Sequence, residues 1–227
     1  MSRQRLCCRV FFSCRAGAGW SGLRIFYYIC DMAQLNDFMT RIDLSGVNDY
    51  VTANGKSVVY AKGEMIVQQD CLCRNVGVVK SGYFKYVALN SKGQDVVTGF
   101  SFEGEVVTDY VQGFLYDEPS LTSIVAGCDA EVVRVSVDEV RRFVRERNPG
   151  FVAEVSSNLL QEAYCRYLNM LIKTPTERFH ELVARYPGVV HNLPIQEIAS
   201  YLGISRRQLH RIREAGAAAD ASECEDI

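Results

Sequence analysis

No stretch of this chain approaches the roughly 18 to 20 consecutive apolar residues that span a bilayer. The longest candidate, Leu23 to Cys30, is short and contains Arg24, so no membrane partner is expected. Histidine is scarce: His180, His191 and His210 are the three present, and all lie in the C-terminal part. A metal-dependent barrel enzyme needs several histidines and a carboxylate inside its barrel, which this distribution excludes. No Gly-x-x-x-x-Gly-Lys phosphate loop and no nucleophile-elbow motif occurs, so no catalytic residue, metal ligand or cofactor is expected and the chain reads as a non-enzyme. The nine cysteines are odd in number and follow no framework spacing, the pattern of reduced thiols in a cytoplasmic protein. Cys7, Cys8, Cys14 and Cys30 fit no common iron–sulfur spacing, and Cys71 and Cys73 would share one face of a strand with too few partners for a cluster. Finally, no Arg or Lys lies between Lys92 and Arg134.

What is present is concentrated near the C-terminus. The net charge of the 227 residues is only −2, but Lys173 to Arg213 carries seven Lys or Arg against three Glu. Glu214 to Ile227 then carries five acids and no base. A locally basic module beside an acidic tail suits a specific nucleic-acid binder. Within that module, Ile198 and Leu202 share a helical face at i and i+4, and Ala199 is small enough for a close crossing. Gly203 can take the left-handed conformation of a tight turn, and Ser205 can N-cap a second helix whose inward face is Leu209 and Ile212. The outward face reads Arg206, Arg207, Gln208, His210, Arg211 and Arg213. This is the pattern of a helix-turn-helix with a donor-rich recognition helix.

Upstream, the chain divides by its hydrophobic period. Residues 1–31 carry five Arg against the single acid Asp31 and have no sustained periodicity, so they read as a disordered or mis-assigned leader with the true start at Met32. An amphipathic segment with Leu35, Phe38, Met39 and Ile42 follows. Residues 57 to 135 form short alternating segments divided by turns such as Lys62-Gly63, Ser81-Gly82 and Asn90-Ser91-Lys92-Gly93, which suggests a small antiparallel sandwich or barrel. Val137 to Arg147 reads as a charged helix ended by Asn148-Pro149. From about Gly150 to Lys173 one stripe runs through Val152, Val155, Leu159, Ala163, Tyr167 and Met170, and a second through Leu160, Tyr164, Leu168 and Leu171. One side can cover the barrel and the other can pair with a second copy. Thr174-Pro175 starts a new helix with Glu177 completing a capping box. The boundaries expected are 1–31 leader, 32–148 barrel domain, 149–173 long helix, 174–213 helix-turn-helix and 214–227 disordered acidic tail, the barrel and long helix being the sensor domain and dimerisation helix on the resemblance that follows.

This order of parts resembles the Crp–Fnr family of bacterial transcription regulators over roughly residues 35 to 213. The resemblance rests on Ala61-Lys62-Gly63-Glu64, Val78-Val79-Lys80-Ser81-Gly82, Phe102-Glu103-Gly104-Glu105 and Gly203-Ile204-Ser205-Arg206-Arg207-Gln208-Leu209-His210-Arg211. It implies an α+β fold: an antiparallel jelly-roll barrel like the cyclic nucleotide-binding domain, a long dimerisation helix, and a C-terminal helix-turn-helix. It further implies a homodimer that reads an inverted-repeat operator and responds to a small-molecule effector, with RNA polymerase as a further partner. Two departures stand out. Cyclic-nucleotide binders of the family hold ribose and phosphate with a Gly-Glu pair and a following Arg-Ser pair. Here the stretch runs Val107-Thr108-Asp109-Tyr110 and then Asp117-Glu118-Pro119-Ser120-Leu121, so a cyclic phosphate would meet Asp109, Asp117 and Glu118 with no cation nearby. Cyclic AMP is therefore not the expected effector, and Asp109 reads as a solvated or hydrogen-bonded loop acid. The chain also passes from the recognition helix into the acidic tail, so the wing strands of many relatives are reduced or absent.

The expected DNA-binding residues are Ser205, Arg206, Arg207, Gln208, His210, Arg211 and Arg213. Arg206, Arg207 and Arg211 suit guanine edges or phosphates, Gln208 suits adenine, and His210 and Arg213 suit the backbone. An alternative is a ligand-sensing barrel whose helix-turn-helix docks a protein partner. An arabinose-regulator-like arrangement would need two consecutive helix-turn-helix units, and residues 175–213 have room for one.

Overall fold

The computed structural model describes residues 33–223. The readings made for the leader and for a start at Met32 lie outside the described residues, as does the extreme C-terminus. Among the described residues, the strands form two antiparallel four-stranded sheets. One has the order β1 (Lys56–Tyr60), β8 (Ala130–Ser136), β3 (Asn75–Ser81), β6 (Val106–Val107). The other has the order β2 (Met65–Val67), β7 (Ser123–Ala126), β4 (Tyr83–Leu89), β5 (Asp95–Phe102). Tyr60, Val79 and Val132 from the first sheet and Val67, Phe84 and Ile124 from the second meet in one buried cluster. Each such side chain withdrawn from water contributes about 1.5 to 3 kcal/mol before entropy.

Strand β3 is apolar on both faces because both are covered. Val79 looks into the sandwich, whereas Val76 and Val78 pack with α1 (Ser45–Asn54) and α2 (Val137–Arg147). Helix α2 is opened by a capping box between Ser136 and Glu139, and its Val140 and Val144 are buried. Helix α1 fully buries only Val47 and Val51, with Tyr50 partly buried and stacked on Phe143, a pattern too sparse to have been expected from the sequence. The segment Ala33–Arg41 is a 3₁₀ helix interrupted at Asn36, and it buries Leu35 and Phe38, with Ile42 buried just after it.

Helix α3 (Phe151–Ile172) leaves the sandwich at Phe151 and Val155, which are buried against α1 and α2. Its second half is different: Leu160, Tyr164, Tyr167, Leu171 and Ile172 are each more than half exposed. Helix α4 (Pro175–Arg185) begins with the Thr174–Glu177 capping box expected at that position, with Pro175 in its first turn. Short α5 (Val189–Asn192), α6 (Ile195–Tyr201) and α7 (Arg206–Glu223) follow. The disordered tail expected from Glu214 is corrected here, because α7 continues without a break to Glu223. Its run of alanines has high helix propensity and needs no packing to extend an existing helix. No strand follows β8 among the described residues, in keeping with a reduced or absent wing. No helix among them is long and apolar enough to cross a membrane.

Candidate nucleic-acid interface and sensor cavity

The helix-turn-helix is built as its spacing requires. Ile198, Ala199, Leu202, Leu209 and Ile212 are all buried, and together with Phe179 and Leu182 of α4 they form one apolar cluster. Helix α6 closes through Gly203, whose N–H donates to the Ser200 carbonyl and whose φ of +69° is the left-handed value that favours glycine. A Cβ at Gly203 would also meet the Met170 methyl at 2.6 Å, so the turn rests directly on α3. The Ser205 hydroxyl accepts the Gln208 N–H at 3.2 Å, the N-cap contact its position promised. Arg206, Arg207, His210, Arg211 and Arg213 are exposed, with Gln208 half-buried. Among the described residues none of the four arginine side chains is held by a hydrogen bond or ion pair. The first turns of α7 therefore present a row of unengaged donors to solvent. His180 and His191 are exposed and belong to α4 and α5 rather than to α7.

Sequence reading did not reveal that α6 docks on the sandwich. Glu197, nine-tenths buried, accepts from the Lys85 ammonium at 2.7 Å and from the Tyr83 hydroxyl at 3.0 Å, both on β4. Burial and the adjacent Glu197 carboxylate both raise the Tyr83 phenol well above its ordinary range, so it remains a donor. The Ser200 hydroxyl accepts the Val97 N–H at 2.9 Å, and the Tyr201 ring lies 5.5 Å from that of Phe100. Arg166 of α3 ties the parts together. Its guanidinium donates to the carbonyls of Thr98 and Tyr201 and stacks 3.9 Å above the Tyr201 ring.

Between β5, the 3₁₀ segment, α3 and the π-helical turn Tyr110–Tyr116 lies a cavity of about 740 Å³. Phe38, Ile42, Val97, Phe114, Val155 and Leu159 give it apolar walls. Tyr86 and Ser101 reach it from the sandwich side, with the Tyr86 hydroxyl donating to the Thr108 carbonyl at 3.2 Å and the Ser101 hydroxyl to the Val106 carbonyl at 3.1 Å. Burial pushes the Tyr86 phenol up to about 12. Beside this cavity, Glu105 accepts from the Asn36 amide at 2.7 Å and the Phe102 N–H at 2.9 Å. Its burial outweighs both bonds and pushes its carboxyl up to about 7.

Two expectations about this region need correction. Asp117 does not lack cations: Arg74 and Arg141, distant in sequence, approach it at 3.6 and 3.7 Å. Arg141 is not a vacant phosphate clamp, because it also donates to the carbonyls of Phe114 at 2.8 Å and Gly113 at 2.6 Å and faces Asp138 at 2.9 Å. Cys71 and Cys73 do not share a strand face either. They lie in a loop, Cys71 exposed and Cys73 buried with its thiol 3.5 Å from the Asn75 carbonyl. Of the two readings of Asp109, the structure has the hydrogen-bonded one, its side chain accepting the Gln112 N–H at 3.1 Å to cap the π-helical turn. Among the described residues no group of His, Cys, Asp or Glu is placed to hold a metal ion.

Comparison with known proteins bears on these features together. Residues 57–147 match the family described as the cyclic nucleotide-binding domain. No curated protein sequence matches the chain. Among solved structures, FixK2 from Bradyrhizobium japonicum is similar at 18% identity, covering 73% of this chain and 86% of its own, with a TM-score of 0.63. The c-di-GMP responsive global regulator CLP of Xanthomonas campestris is similar at 16% identity, covering 78% and 93%, with a TM-score of 0.57. A protein from Eubacterium rectale described as a putative regulator of the crp/fnr family is similar at 14% identity, covering 79% and 88%, with a TM-score of 0.57.

Proposed function

For a chain that carries a domain of the cyclic nucleotide-binding family on the fold of Crp/Fnr transcription regulators, we propose sequence-specific DNA binding by a homodimer, without enzymatic activity. The observation that carries the reading is the row of exposed, unengaged Arg206, Arg207, Arg211 and Arg213 on a helix whose opposite face, Leu209 and Ile212, is buried. A guanidinium with no internal partner is available to fork onto guanine O6 and N7 or onto phosphate, and Gln208 in the same turn suits adenine. Ser205 caps the helix whose N-terminal end enters the major groove and can donate to a phosphate there, while His210 and Arg213 meet the backbone. A helix-turn-helix of this kind reads one half-site per copy, and two copies would meet half-sites about 34–36 Å apart.

The dimer is supported by the exposed apolar half of α3. Leu160 is 71% and Leu171 64% exposed, a combination on one helix that water disfavours and a second copy would cover. The expected operator is accordingly an inverted repeat near a promoter, and RNA polymerase is the partner such a position implies. The effector is a small molecule other than cyclic AMP, since Arg141 is already engaged by the Gly113 and Phe114 carbonyls and by Asp138. The test is a gel-shift with genomic fragments at salt from about 50 to 200 mM, where a specific binder loses affinity steeply but keeps its preference. A protein that is monomeric and prefers no genomic site over scrambled competitor would overturn the reading.

A further inference from the structure

We infer that a small cavity between α3 and α4 binds a free inorganic oxyanion of the phosphate or sulfate type, whether or not the chain reads DNA.

This second cavity has a volume of about 90 Å³. One ordered water needs about 10–15 Å³, and sites for drug-sized molecules run to about 300–1,000 Å³, so the space suits an ion with a few waters. It shares Glu162 and Arg166 with the larger cavity, but Arg178, Glu181, Arg185 and Tyr186 wall this one alone. Arg178 is the group that sets its chemistry. The Nη1 of Arg178 donates to the Lys173 carbonyl at 2.7 Å, which ties the side chain to the C-terminal end of α3. Its Nε, by contrast, is shut off from water and meets no acceptor among the described residues. A buried donor left in that state is costly, and a guest carrying an acceptor recovers the loss. Asn169 of α3 adds an amide side chain with no partner among the described residues.

Charge decides the class of guest. Arg166, Arg178 and Arg185 line the space, against Glu162 and Glu181. Among the described residues neither Arg166 nor Arg178 meets a carboxylate. Their hydrogen bonds go to the neutral carbonyls of Thr98, Tyr201, Lys173 and Met170, so both keep their full charge. The acids already face cations of their own: Glu181 accepts from the Lys173 ammonium at 2.5 Å, and Glu162 lies 3.9 Å from Arg41. Positive charge is therefore in excess around the space. A water could take the Arg178 Nε hydrogen but would leave that excess in place, and a cation would add to it. An oxyanion supplies the acceptor and the charge together, and hydrogen bonds between guanidinium and oxyanion are among the stronger ones. Glu162, loosely held, is the group that opposes such a guest. An anion seated here would also bridge α3 and α4 across the break at Thr174-Pro175.

The test follows the phosphorus NMR line of inorganic phosphate mixed with the full chain, with chloride holding the ionic strength constant. Saturable broadening from one site per chain, reversed by sulfate, is expected. Phenyl phosphate carries the same head on a ring too large for the cavity and should not compete. The recognition row is itself cationic, so the variant combining Arg206→Ala, Arg207→Ala and Arg211→Ala is the control and should keep the saturable site. Arg178→Gln should weaken phosphate about tenfold or more. Because that change also removes the tie to Lys173, Glu162→Gln supplies a second measurement with Arg178 intact. It removes a repelling charge and should tighten phosphate about two- to fivefold. Adding phosphate should slow hydrogen exchange across residues 169–182. Absent or non-saturable broadening, loss of the site in the recognition-row variant, or full competition by phenyl phosphate would overturn the site. So would phosphate affinity unchanged by Glu162→Gln, or exchange across 169–182 that ignores phosphate.

Discussion

Around the sandwich, Arg141 gives its hydrogens to the carbonyls of Gly113 and Phe114 and to Asp138, Arg74 faces Asp117, and Arg166 holds Thr98 and Tyr201. Along α7, Arg206, Arg207, Arg211 and Arg213 point to solvent with no partner among the described residues. The residue type is the same and the chemistry is opposite. An internally satisfied guanidinium organises the fold, because removing it strands buried carbonyls. An unsatisfied one contributes little to the fold and is available to a ligand. Charge counts along a sequence do not separate the two cases; the partners in space do.

The sharpest way to break this comparison is to exchange the two classes in a stability assay. Arg141→Ala leaves the Gly113 and Phe114 carbonyls without their donor, and it should lower unfolding free energy by about 2–4 kcal/mol in denaturant titration. Arg211→Ala should stay within about 0.5 kcal/mol of the parent. On DNA the order reverses. Arg206→Ala or Arg207→Ala should cost about 1–3 kcal/mol and relax preference at one base pair in a binding-site selection. Equal weakening on all sequences would reassign that side chain to phosphate.

Glu105 sharpens the comparison from the acidic side. Its carboxyl, pushed up to about 7 from an ordinary 4.5, holds its proton more tightly in the folded chain than in the unfolded one. Its contribution is therefore fully present below about pH 4.5, is lost as pH rises towards 7, and is absent above that value. Glu105→Gln keeps an acceptor for Phe102 and Asn36 but cannot ionise. It should match the parent near pH 4.5 and exceed it by about 1–3 kcal/mol at pH 8 in thermal melts. The smallest effect expected is at Arg213. Its alanine variant should weaken all DNA sequences alike and reduce the slope of log affinity against log salt by about one.

The helix-turn-helix could be read from the sequence because its information is local. The spacing of Ile198, Leu202, Leu209 and Ile212, the turn at Gly203 and the Ser205 cap all lie within one short segment. The Thr174–Glu177 box and the strand Tyr83–Leu89 were legible for the same reason. What escaped was non-local or weakly patterned. Helix Ser45–Asn54 fully buries only two side chains, and strand Val106–Val107 is too short to show a period. Asp117 finds its arginines far away in the chain, and Lys85 meets Glu197 across 112 positions. No pattern within a window of ten or twenty residues encodes such pairs. The helical continuation past Glu214 was missed because alanines lacking an apolar partner look like a tail, although a helix already formed carries them along.

Strand β5 ends its sheet, with β4 on one side only. Such a margin ordinarily offers a row of vacant backbone groups onto which another chain can zip. Here the Val97 N–H is taken by Ser200, the Thr98 carbonyl by Arg166 and the Phe100 carbonyl by Asn36. The border is thus shielded by three elements together: the module that carries the basic helix through Ser200, α3 through Arg166 and the 3₁₀ segment through Asn36. A motion that lifts the module away uncovers the Val97 N–H while Arg166 and Asn36 still cap the Thr98 and Phe100 carbonyls, so the border stays partly guarded against clumping.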